Sequence, residues 1–235
     1  MLAAAVDFRS PLFWAVFIGW VLSVVLHEFA HGLVAYLGGD YTIRERGGLT
    51  LNPLQYVDPV MSIILPMVFL AMGGIPLPGG ATYVRTDLLR SRGWASAVAA
   101  AGPLMNLLLF VGLALSLNPR LGWVPPMTPV TDWTPAQRFV GALAFLELLS
   151  VVLNLVPVPP LDGFQIFAPY LSRDVREKLS RGPVAFGLFF LYFLLLGSAG
   201  FFEFAYTIMR PIAEWVGVPF YQLVQAFRLS LYSEA

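Results

Sequence analysis

Apolar residues run along this chain in long unbroken blocks, not at the alternating or amphipathic spacing of a soluble core. Residues 10–37 are uncharged and greasy except for one stretch, His27-Glu28-Phe29-Ala30-His31, and Gly38-Gly39-Asp40 supply a stop. The pattern predicts one helix, long enough to cross a bilayer with some tilt. Residues 40–58 are polar and mixed, with Arg44, Glu45, Arg46, Asn52-Pro53 and Asp58-Pro59, and read as a short strand-and-loop excursion. Residues 59–84 carry no charge but are interrupted by Pro66, Gly73-Gly74, Pro76 and Pro78-Gly79-Gly80. They form either a full span or a re-entrant hairpin. Residues 94–117 are a second clear span, rich in small residues in its first half, as in closely packed membrane helices. Residues 139–155 are a third, broken by Pro157, Pro159 and Pro160, and residues 184–202 a fourth. The last stretch, with Glu203, Arg210, Glu214 and Arg228 among aromatics, either spans or lies in the interface.

Composition agrees. The chain is 58% hydrophobic and only 12% charged, with a mean hydropathy of +0.74, against about 25% charged residues in an ordinary soluble domain. An all-α polytopic membrane protein is expected, as a single integral membrane domain over 1–235 with a core at 10–170 and C-terminal helices at 183–230. The 14 basic and 14 acidic residues cancel, so no affinity for nucleic acid is expected. Without cysteine, disulfides and thiolate metal ligands are excluded. No basic region precedes the first apolar run, so a cleavable signal is not expected.

The two histidines of the chain, His27 and His31, both fall inside the first span. Four residues apart on a helix, they project from one face. They can ligate one zinc ion, with Glu28 as general base towards a metal-bound water. The alternative is a pair of polar residues packing between helices, which is costly in a membrane without a partner.

A catalytic zinc takes three protein ligands and keeps an open position. Residues 154–165, Asn-Leu-Val-Pro-Val-Pro-Pro-Leu-Asp-Gly-Phe-Gln, offer a third. Three prolines in four positions forbid a continuous helix, and irregular backbone at membrane depth is tolerated where it lines a cavity. Asp162 is therefore a candidate ligand; its other reading is the N-cap of the segment that starts at Gly163. Glu147, inside the third span, is an acid with no obvious partner in the sequence.

Three stretches together, His-Glu-Phe-Ala-His (27–31), Ala-Gly-Pro-Leu-Met-Asn (101–106) and Asn-Leu-Val-Pro-Val-Pro-Pro-Leu-Asp-Gly (154–163), resemble the site-2 protease family of intramembrane zinc metalloproteases. The stretch at 47–59 is similar to that of compact prokaryotic members without a PDZ domain. The resemblance implies one zinc ion per chain held by His27, His31 and Asp162, with Glu28 as catalytic base. It also implies that Asn154 meets the substrate backbone or the oxyanion, the other reading of Asn154 being an interhelical hydrogen bond. Gly102, Pro103 and Asn106, in the middle motif, are substrate or structural candidates. Related compact members carry an asparagine where this chain has Pro76-Leu-Pro-Gly-Gly-Ala81, so that residue's role is not carried over. The implied activity is hydrolysis of peptide bonds in or near transmembrane helices of membrane-protein substrates. A membrane metal-ion transporter and an inactive scaffold are the rival readings.

The shared metal constrains topology. If residues 59–78 cross the membrane, His27 and His31 end up on the opposite face from Asp162, separated by much of a core about 30 Å thick. If they re-enter, the ligands meet. The re-entrant arrangement puts Arg44, Arg46, Arg85, Arg90, Arg92, Arg173, Arg176, Lys178 and Arg181 on one side, and Arg9, Arg120 and Arg138 on the other. By the positive-inside rule this predicts an extracytoplasmic N-terminus and an active site nearer the cytoplasmic face of a prokaryotic cell membrane. Substrate identity and oligomeric state stay open.

Overall fold

The first helix begins where its capping chemistry dictates. The Ser10 hydroxyl accepts hydrogen bonds from the amides of Leu12 and Phe13 (3.2 and 3.4 Å), and Pro11 occupies the first helical position, where an amide would have no partner. In the computed structural model, which describes residues 6–64, 79–196 and 199–232, this helix, α1, runs over Pro11–Gly38 and stops at Gly39. A short helix α2 (Thr42–Glu45) follows, then a 3-10 turn at Pro53–Tyr56 and a π-helical turn at Pro59–Ile64.

The strand expected within 40–58 does not form. Asn52 caps the 3-10 turn by accepting from the Leu54 amide (3.1 Å), and Pro53 has no amide to give a sheet. Among the described residues the β-type pairing is limited to one isolated bridge, Val6 to Tyr232.

Helix α3 (Arg92–Leu117) is capped by Ser91, which accepts from the Trp94 amide (3.3 Å). Helix α4 (Pro135–Asn154) starts four residues before the apolar run that predicted it. Thr134 and Gln137 form a reciprocal capping box there, the Gln137 amide donating to Thr134 Oγ1 (3.3 Å) and the Thr134 amide to Gln137 Oε1 (2.8 Å). Helices α1, α3 and α4 are long and apolar enough to cross a membrane. Then come α5 (Asp162–Phe167), α6 (Arg173–Ser180), α7 (Gly182–Leu196), α8 (Ala199–Val216) and α9 (Phe220–Leu231). The described residues of the fourth span expected at 184–202 are helical, in α7 and α8, with residues 197–198 outside the described residues. The charged residues 173–180 form the exposed helix α6, capped by Ser172.

Helix α4 stands at the centre, packed by α1, α3, α8 and α9. Phe110, Leu117, Leu148, Met209 and Leu223 fill one core cluster; Phe13, Val16, Leu146 and Leu231 fill another. Lipid tails are as apolar as leucine, so what brings α3 close to its neighbours is its run of small residues; Ala99, Ala101 and Gly102 are all buried.

Two contacts fix the direction of the helices. The Arg90 amide donates to the Gly38 carbonyl at 2.9 Å, so α3 starts at the end of the bundle where α1 finishes. The Asp7 amide donates to the Leu231 carbonyl at 2.9 Å, at the opposite end. Residues 65–78, on which the choice between a span and a hairpin turns, lie outside the described residues. The residues flanking them lie side by side: Ser62 Oγ donates to the Gly79 carbonyl at 2.7 Å, and the Ala81 amide to the Tyr56 carbonyl at 3.0 Å.

Candidate active site

On α1, His27, Glu28 and His31 are all buried. Helical spacing puts the two imidazoles one turn apart, with Nε2 atoms 3.0 Å from each other and ring planes 78° apart. Each ring is held from behind by α3. The Nδ1–H of His31 donates to the Val98 carbonyl at 2.6 Å. The Nδ1–H of His27 donates to Asn106 Oδ1. With both protons on Nδ1, both Nε2 lone pairs face the same point.

Asp162 arrives at that point from the far end of the sequence. It is the first residue of α5, and its carboxylate does not cap the helix: the N-cap position belongs to Leu161, with no side-chain hydrogen bond. Its oxygens lie instead 3.1 Å from His27 Nε2 and 3.4 Å from His31 Nε2. Two features deliver it. The proline-broken segment folds back so tightly that a Cβ on Gly163 would lie 2.3 Å from the Leu155 carbonyl oxygen, and Ser96 of α3 donates to the Ile166 carbonyl at 2.7 Å.

These residues fit zinc. Donor atoms around a tetrahedral ion with ligand distances of about 2.0–2.1 Å lie about 3.3 Å apart; here the two Nε2 atoms are 3.0 Å apart, and Asp162 sets Oδ2 3.1 Å from one and Oδ1 3.4 Å from the other. Space has also been kept for an ion. A Cβ on Gly102 would come within 2.3 Å of His31 Nε2 and 2.4 Å of His27 Nε2, so glycine is the residue that leaves the front of the site open. Two nitrogens and one carboxylate are the donor set of a catalytic zinc with an exchangeable position.

Glu28 lies beside the trio, near enough to act electrostatically on both His31 and Tyr56. Its backbone carbonyl accepts from Thr82 Oγ1 at 3.1 Å, and Gly80 packs against its side chain, 3.0 Å separating the Cγ from the position of a Cβ there. The extended residues 79–82 thus pass over the base. Asn154, the last residue of α4, is half-buried, and no hydrogen bond joins its side chain to the ligands or to any other described residue. Gly102 is brought to the ligands and Asn106 to His27; Pro103 is buried within α3, and no described contact joins it to the ligands. Glu147 of α4 was missed as part of this site. It is fully buried and accepts a hydrogen bond from Asn106 Nδ2 at 2.6 Å. The lone signal for it in the sequence was an acid in the middle of a span.

The fold and site together define a class: a helical membrane protein in which two histidines and one carboxylate that could hold a metal ion stand beside a glutamate. The chain is 38% identical over 210 residues to a candidate zinc metalloprotease, Rip2, of Mycolicibacterium smegmatis, covering 86% of this chain and 77% of that one. It is 39% identical over 187 residues to its namesake in Mycobacterium tuberculosis (80% and 68%), and 28% identical over 214 residues to the candidate zinc metalloprotease YwhC of Bacillus subtilis (91% and 88%). The chain belongs to the site-2 protease family. No family model matches it, and no solved structure matches it.

Proposed function

We propose that this chain is a multi-pass intramembrane zinc endopeptidase that cuts other membrane proteins in or near their transmembrane helices. One observation carries the reading: Asp162 and the histidine pair, 131 residues apart at the nearest, converge with the spacing of a three-ligand zinc site, and the buried carboxylate of Glu28 stands next to it. One zinc is held per chain, by His27 Nε2, His31 Nε2 and Asp162. Bound zinc supplies Lewis-acid chemistry, activation of water near neutral pH and polarisation of a peptide carbonyl.

The remaining chemistry falls to the protein. A Glu28 carboxylate oxygen takes the proton of the attacking water and then delivers it to the leaving amide nitrogen. The Asn154 carboxamide is free to donate to the developing oxyanion or to a carbonyl exposed when a substrate helix unwinds. Unwinding is required because a helical carbonyl is both hydrogen-bonded and shielded. The extended backbone at 79–82 lies alongside Glu28, where an unwound substrate strand must pass. The basic segments at 44–46, 85–92 and 173–181 orient this end of the bundle towards the cytoplasm. Neither a transporter nor a scaffold needs a base beside a ligand set, and nothing in the site favours either.

The test uses chain purified in detergent and reconstituted with a panel of single-span membrane proteins. Wild type contains one zinc per chain and yields products whose masses place the cut within a span. Asp162→Ala loses zinc and cleavage together, whereas Glu28→Gln keeps the zinc and loses cleavage. Cleavage undiminished in Glu28→Gln, or zinc undiminished in Asp162→Ala, overturns the assignment.

A further inference from the structure

Glu147 sits midway along α4 with no exposed surface. Taking a carboxyl group into such a place costs several kcal/mol unless partners replace the lost water. Its partners are few. Oε2 accepts from Asn106 Nδ2 at 2.6 Å; Oε1 makes no hydrogen bond among the described residues. Ser23 of α1 stands beside the carboxyl, but its hydroxyl donates to the Gly19 carbonyl at 3.1 Å. No lysine or arginine pairs with it among the described residues. As a structural element it is a poor choice, since a leucine would fill the same volume without the desolvation.

What Glu147 touches explains it. Asn106, only 2% exposed, uses Oδ1 to accept from His27 Nδ1–H and Nδ2 to donate to Glu147. A carboxamide can turn end for end with little change of shape. Turned, Asn106 would present its NH2 to His27, drive the ring proton to Nε2 and remove the lone pair that faces the metal site. Ionised, Glu147 forbids that, because a carboxylate only accepts; its Oε2 is the acceptor that the Asn106 NH2 faces. His31 needs no such device: its Nδ1–H is held by the Val98 backbone carbonyl, which cannot turn over.

We infer that Glu147 is a positioning residue that locks the Asn106 amide in one orientation and thereby holds His27 in its metal-binding tautomer, a relay from α4 through α3 to α1. The inference rests on the zinc reading of the His27–His31–Asp162 site. Groups behind metal-bound histidines set ring orientation and ligand basicity, and their loss weakens metal binding about 10–100-fold.

The experiment measures zinc affinity by competition with a chromogenic chelator, and the visible spectrum of the cobalt-substituted chain, on full-length protein in detergent. Glu147→Leu lowers zinc affinity about tenfold or more and shifts the cobalt bands, while the metal-free chain melts no lower than wild type. A mere packing residue gives the reverse, a lower melting temperature with unchanged affinity and spectrum, and that result overturns the inference. Glu147→Gln, which can hold the amide either way round, loses less. Because Glu147 acts through Asn106, the double variant Asn106→Leu/Glu147→Leu binds zinc no more weakly than Asn106→Leu alone. This apolar pair also decides the question if a lone leucine at 147 prevents folding; additive losses overturn the relay. Wild-type zinc binding that is indifferent to Asp162→Ala removes the metal reading and the relay with it, whereas normal binding in wild type and both Glu147 variants removes the relay alone.

Discussion

Two buried carboxylates, one inside the bundle and one at its end, have opposite surroundings. Glu147 has a single hydrogen bond, from an amide that is itself committed to His27. Asp40, just past the end of α1 and equally inaccessible, is surrounded by donors. The Thr42 hydroxyl, the Arg85 amide (2.9 Å) and the Arg46 guanidinium (2.8 Å) all point at it. Arg46 also donates to the Tyr83 carbonyl, and the Tyr83 hydroxyl donates to Asp58 at 2.8 Å. The Asp40 cluster ties the loop after α1 to the segment that leads into α3. A carboxylate with both oxygens engaged holds loops together; one left under-satisfied is retained for what it does to a neighbour. Substitutions in the inner cluster should therefore change chemistry more than stability, and those in the outer cluster stability more than chemistry.

The largest effect is expected at Glu28. Glu28→Gln should lower the turnover of a transmembrane substrate by about 10²–10⁴-fold, with zinc content and melting temperature as in wild type. A parallel fall in melting temperature would make this acid structural, like Asp40, and break the contrast. Next comes Gly102→Ala. The added methyl collides with both Nε2 atoms, so zinc affinity should drop about 100-fold while helix content by circular dichroism is kept.

Asp40→Asn gives the mirror image. Removing the charge leaves the Arg46 and Arg85 donors poorly matched, for a loss of about 2 kcal/mol in stability, read as an earlier thermal transition in detergent. Zinc affinity of the folded chain should not move. If zinc is lost instead, the loop cluster positions the site and the two regions are not separable.

These regions also differ in how far they could be read beforehand. The His27–His31 spacing and the ends of α1 and α3 are local patterns, and the chain folds as they say. Asp162 stood out because three prolines forbid a continuous helix beside it and irregular backbone at membrane depth is tolerated where it lines a cavity; the structure brings its carboxylate to the histidine pair. The Thr134–Gln137 capping box is equally local, but the uncharged run that starts at Phe139 drew the boundary instead. The expected strand in 40–58 failed because polar loop composition does not say whether side chains or a neighbouring backbone will satisfy the amides; here the Thr50 and Asn52 side chains and the segment's own carbonyls take several of them. The Asn106–Glu147 pair joins two helices 41 residues apart, and no periodicity within either helix encodes which face meets which.

The smallest effect is the acid response of the outer cluster. Burial by itself would raise the Asp40 pKa, but the Thr42 hydroxyl, the Arg85 amide and the Arg46 charge outweigh it and hold the group below its ordinary value of 3.8. A carboxylate with a depressed folded pKa stabilises the fold fully above its unfolded pKa and loses that contribution as pH falls towards the folded value. The difference in melting temperature between wild type and Asp40→Asn should thus be constant from about pH 7 to 5 and shrink below about pH 4, where Asp40 begins to take up its proton. The other carboxylates are common to both chains and cancel in the difference. A gap that persists unchanged at low pH would mean that Asp40 acts through shape and not charge, and the opposition between a carboxylate held for stability and one held for chemistry would lose its outer half.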